Sequence, residues 1–158
     1  MGYRIEGLPV EPFPHLMGAE DRTLVRHQAV RIVAKTKPGA PCRITLEDAE
    51  PGETLILLNH VSHDVANPYR AAHAIFVREA ARTPASYVDA IPPALAPRIL
   101  SLRGFDADGM MIDAALAQPG EAEPAIAKLF ENPEIAYIHA HNATRGCFAA
   151  RIDREERP

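Results

Sequence analysis

The sequence has no tryptophan, only three lysines and only two cysteines, Cys42 and Cys147. Two thiols cannot build a multi-bridge scaffold or a cysteine-only zinc site. No apolar run approaches the ~20 residues that a membrane-spanning helix needs. The longest, around Leu55–Leu58, is a handful of residues. The first residues, Met1 to Glu6, lack the apolar stretch of an export signal, so both thiols are expected to be reduced, in the cytoplasm. The net charge is also small. A formal charge of −4 gives no reason to expect nucleic acid or an anionic membrane as a partner. Phosphate-binding loops, dinucleotide glycine fingerprints and nucleophile elbows are absent as well.

Arginine and alanine are abundant, at 14 and 27 residues. That bias suits a GC-rich bacterial genome and weakens arginine abundance as a sign of an anion site. With 158 residues and 47% hydrophobic content, the chain fits one globular domain over 1–158, with residues 155–158 frayed. Strands are expected over 3–8, 29–36, 54–60 and 73–79, and helices over 19–27 and 121–131. One helical turn is expected over 46–50. Pro51-Gly52 fits a type II turn, 61–70 reads as a loop, and 80–97 reads as irregular. Two hairpins close the list, 98–105 with 110–117 and 134–141 with 147–153. The expectation is an α+β fold: a mainly antiparallel sheet with two or so helices packed on one face.

Alternation sorts the last hairpin into two faces. With a loop over 142–146, His141 opposes Cys147, His139 opposes Ala149 and Tyr137 opposes Arg151. Ala136, Ile138, Ala140, Phe148, Ala150 and Ile152 then share an apolar face. Tyr137, His139, His141, Cys147, Arg151 and Asp153 share a polar one, and a slip of one residue mixes the sets. In the preceding hairpin, a three-residue loop Ala107-Asp108-Gly109 with a left-handed glycine sets Arg103 opposite Asp113 as a cross-strand ion pair. Leu100, Leu102, Gly104, Ile112, Ala114 and Leu116 form its apolar face.

A polar sheet face is solvated by default. The residue types favour a site, because a solvated strand face draws on Thr, Lys and Glu. His139 and His141, two apart on one strand, can converge on a metal, but a third ligand from His60, His73 or Asp113 would be needed, and no structural zinc is expected. Cys147 beside a protonated His141 suits an activated nucleophile, against the alternative of an inert packed thiol. Cys42 is expected to pack, and a Cys42–Cys147 bridge is disfavoured by compartment.

Pro41-Cys42-Arg43, Pro51-Gly52-Glu53, Asn67-Pro68-Tyr69-Arg70, Ile75-Phe76-Val77, Leu102-Arg103 and His139-Ala140-His141-Asn142-Ala143 through Gly146-Cys147 resemble the bacterial family called domain of unknown function 1203. The similarity runs from about Pro41 to Arg154. It implies a stand-alone bacterial domain and brings no mechanism with it. The expected function is a small-molecule-binding protein or enzyme acting on an anionic metabolite. The catalytic residues are His141 as acid/base, Cys147 as nucleophile, and His139, and the binding residues are Arg103, Arg151, Tyr137 and Asp113, with the cofactor unknown. The rival is a protein-interaction or self-associating domain that uses the same face, and a homo-oligomer is left open.

Overall fold

The computed structural model describes residues 2–156. It is α+β, with nine strands in two antiparallel sheets and two helices. The larger sheet has the order β5 (Ser86–Val88), β1 (Gly2–Glu6), β9 (Phe148–Glu155), β8 (Tyr137–Asn142), β6 (Leu100–Phe105), β7 (Met111–Ala117). The smaller has the order β2 (Val30–Val33), β3 (Thr54–His63), β4 (Ala71–Arg78). Helix α1 (Asp21–Arg26) lies beside β2, and α2 (Ala122–Phe130) lies against β6 and β7.

Helix α2 carries Glu123 in its first turn and Lys128 in its last, signs that suit the helix dipole. Its buried stripe is Ala122, Ile126, Leu129 and Phe130. That stripe seals one face of the large sheet, where Leu100, Leu102, Ile138, Ala140, Ala150 and Ile152 are each at most 1% exposed. A second cluster joins Ile56, Ile75 and Val77 of the small sheet to Phe13, Leu16, Leu24, Cys42 and Ile44.

Several expectations change. Residues 46–50 form no helical turn, and Leu46 sits at φ 54°. β3 runs on to His63, into the expected loop, and Ser86–Val88 pairs with β1 inside the expected irregular stretch. Glu155 is not frayed: it pairs with Gly2, and its carboxylate takes Nε and Nη2 of Arg4 at 2.8 and 2.5 Å. Residues 157–158 of the expected tail lie outside the described residues. Gly52 (φ 92°) supplies the positive φ expected of its turn.

Three bulges decide where side chains point. Ser62 has no partner in the β3–β4 ladder, and beyond it His63 is 5% exposed whereas Val61 is 36% exposed. Without that extra residue the two would share a face. In the β6–β7 hairpin the loop is as expected, with Gly109 at φ 80° and Asp106 N–H bonded to Met110 O. Ile112 is then bulged, so Gly104, not Arg103, opposes Asp113. Ile112 and Leu116 turn outward, at 38% and 63% exposure, which overturns the apolar face drawn for β7. In the β8–β9 hairpin Asn142 opposes Cys147 and His141 opposes Phe148, one residue off the expected register. A bulge at Ala149 adds a second offset, so Ala140 opposes Ala150 and His139 opposes Arg151. Two single offsets make an even shift, and from Ala140 outward each side chain returns to its expected side. Only the hairpin end changes: Phe148 joins the histidine side, and Cys147 leaves it.

Candidate functional site

Around His139 and His141 the polar face of the large sheet is neither solvated nor a pocket. His139 and His141 are 3% and 2% exposed, and the ends of β3 and β4, with the loop between them, cover them. His63 lies over Phe105 at 4.2 Å between ring centroids, Tyr69 lies edge-on to Phe105, and His73 meets His141 edge-on at 4.9 Å. Phe148 packs edge-on against both His139 and His141. The result is an aromatic and imidazole layer closed by the chain itself.

The hydrogen bonds fix a proton on each of two rings. The Tyr69 carbonyl only accepts, so His63 Nδ1–H donates to it at 2.9 Å. His63 Nε2 and the Tyr137 hydroxyl form a hydrogen bond at 2.6 Å. His141 Nδ1–H donates to Gly146 O at 3.0 Å. His139 Nδ1 is buried with no hydrogen-bond partner among the described residues. Burial, with neighbouring His63, pushes the His139 pKa down to about 3. Burial likewise holds His141 at about 4, despite the bond to Gly146. Both rings are therefore neutral at physiological pH. The activating charge expected at His141 is absent from it.

The other predicted residues scatter. Arg103 opposes His139 and Ala114 and donates to Ser101 Oγ at 3.3 Å. The Arg103–Asp113 ion pair does not form, because the Ile112 bulge sends Asp113 to an exposed position where it bonds the Ala114 N–H. Arg151 lies exposed over the Tyr137 ring at 4.0 Å and pairs with Asp153. Among the described residues, no three His, Cys, Asp or Glu side chains converge in a way that could hold a metal ion.

Cys147 keeps company that sequence reasoning missed. Arg43 is 2% exposed, and its Nη2 donates to Cys147 Sγ at 3.2 Å. Its Nε and Nη1 donate to the carbonyls of Phe148 and Pro41, at 2.7 and 2.6 Å. Burial lowers the Arg43 pKa, and Cys147 opposes that shift. Asn142 Nδ2 lies 3.6 Å from the same sulfur, while Asn142 Oδ1 is buried without a partner among the described residues. Cys42, by contrast, is fully buried and accepts the N–H of Arg78 at 3.3 Å. Both thiols are free. The adjacency of Arg43 to Cys42 in Pro41-Cys42-Arg43 was the one available signal, and it carries no direction.

These residues border a cavity of ≈ 780 Å³ between the small sheet and the Ala143–Gly146 turn. Leu57, Phe76 and Ile99 give it apolar wall, and Asn59, His73, Asn142, Thr144 and Cys147 give it polar groups. Three arginines line it, Arg43, Arg98 and Arg145, with no Asp or Glu. Arg98 is neutralised by two bonds to Asp48, at 2.7 and 2.6 Å. Neither Arg43 nor Arg145 forms an ion pair with a carboxylate among the described residues. The cavity volume lies within the usual range for small-molecule sites.

A family model described as protein of unknown function (DUF1203) matches residues 39–154. All the cavity-lining residues fall within that span, whereas β1, α1 and β2 precede it. No curated protein and no solved structure matches the chain. The chain belongs to the DUF1203 family.

Proposed function

We propose that this chain is a single domain that binds a small anionic molecule, a carboxylate or phosphate, in the cavity bordered by Arg43, Arg145 and Asn142. One observation carries the reading: the cavity holds two guanidinium groups without carboxylate partners and is lined by no acid. Arg43 is 2% exposed, and buried cations are normally paired, whereas Arg145 lies exposed on the turn where charged hydrogen bonds to an anion can form. His73 supports a hydrogen-bonding role rather than a charged one, since burial, then Arg103 and Arg43, lower its pKa. Ser62 Oγ sits 3.1 Å from its Nδ1 and fixes the ring. Binding thus moves from Arg103, Arg151, Tyr137 and Asp113 to the hairpin end.

The test is calorimetric titration with inorganic phosphate and citrate, with glycerol as neutral control. One saturable site is expected for at least one of the two anions and none for glycerol. Arg145→Ala should weaken it roughly tenfold, the scale of one charge-assisted hydrogen bond. Equal binding by parent and variant would remove the assignment.

A further inference from the structure

We propose that Cys147 is a nucleophile directed at a small electrophile that carries a carboxylate or phosphate group. The proposal rests on the anion reading above and adds a chemical step to it. Four observations meet at one atom. Among the described residues Arg43, 2% exposed, has no carboxylate to answer its charge, and of its hydrogen-bonded partners there only Cys147 Sγ can carry a negative charge. Asn142 flanks the same sulfur and has a buried oxygen without a partner among the described residues. Cys147 is half-buried and borders the cavity, whereas Cys42 is sealed in the core. Arg145, exposed on the adjoining turn, borders the same cavity.

An anionic head held by Arg145 would bring the carbon next to it towards the sulfur. The sulfur attacks that carbon, an S–C bond forms, and the bond from carbon to its leaving group breaks. The leaving group departs with the electron pair, and the thiol proton passes to water. Arg43 faces the charge that gathers on sulfur before attack. No imidazolium is needed.

Iodoacetate and iodoacetamide separate this step from general thiol reactivity, since they share a leaving group and differ in charge. The full-length protein is alkylated by each at neutral pH, and the rates at Cys147 and Cys42 are read by peptide mass spectrometry. We expect Cys147 to react first and to prefer iodoacetate. Arg145→Ala should slow iodoacetate roughly tenfold and leave iodoacetamide unchanged. Arg145 is exposed, so the variant keeps the fold. Excess inorganic phosphate should protect Cys147 from both reagents. Faster labelling of Cys42, a preference for iodoacetamide, or an Arg145→Ala variant that treats iodoacetate as the parent does would overturn the proposal. If phosphate binds by calorimetry yet leaves Cys147 unprotected, the nucleophile falls and the anion site stands. If iodoacetate is preferred and depends on Arg145 while phosphate and citrate fail to bind, the nucleophile stands and the broader anion reading falls.

Discussion

Strand β8, with the parts of β6 and β9 beside it, is buried on both faces, and by different chemistry. Towards α2 they present Leu100, Leu102, Ile138, Ala140, Ala150 and Ile152, an apolar surface with nothing to satisfy. Towards the small sheet they present Phe105, Tyr137, His139, His141 and Phe148, also buried but polar at several ring nitrogens and one hydroxyl. The first face owes its stability to packing alone and is indifferent to protons. The second is held by neutral rings, so its stability is tied to their staying neutral. The difference teaches that a polar strand face can be an interior surface, and that a ligand site need only open at its end.

Acid should expose the contrast most strongly. His139 and His141 have folded pKa values depressed to about 3 and about 4, against 6.5 unfolded. Between those limits the unfolded chain binds more protons, so stability is full above about pH 6.5 and falls as the pH drops. Each ring should cost about 3 kcal/mol by pH 4, within a coupled pair. Urea unfolding at pH 8, 6 and 5 reads this slope directly. Next in size is Ile138→Ala, on the helix face. Loss of about 3 kcal/mol is expected, equal at pH 8 and pH 6, because only packing is removed. A pH-dependent loss would mean that the two faces are not independent. His139→Phe keeps the ring volume and removes the orphaned Nδ1, so it should gain about 2 kcal/mol over the parent at pH 5 and flatten the acid slope. Tyr137→Phe deletes the bond to His63 Nε2 and should cost about 1 kcal/mol. Arg151→Ala, at the exposed rim, should fall within about 1 kcal/mol of the parent.

Much of the fold was legible in the sequence: the class, helix α2, both hairpins and the left-handed Gly109. Which side chains share a face was legible only up to the bulges. In the β6–β7 hairpin one extra residue, Ile112, moved Asp113 away from Arg103 and turned Ile112 and Leu116 outward. In the β8–β9 hairpin two offsets cancelled, so Ile138, Ala140, Ala150 and Ile152 faced the helix as expected. Alternation reads parity, and a bulge changes parity without a reliable local signature. Burial of the histidine face was not legible either, because its cover comes from His63, Tyr69 and His73, about 70 residues away in sequence. Arg43 escaped for the same reason: its contact with Cys147 spans 104 positions.

The histidine face is a dry interior layer, and the cavity at its Cys147 end is the proposed place for a ligand. Side-chain nitrogen–proton correlation spectra, assigned with His139→Phe and His141→Phe, test this directly between pH 8 and pH 5. Both rings should keep the spectrum of neutral imidazole throughout, with His141 protonated at Nδ1, the nitrogen that faces Gly146 O. A protonation midpoint near 6.5 for either ring would show a wet face and contradict it.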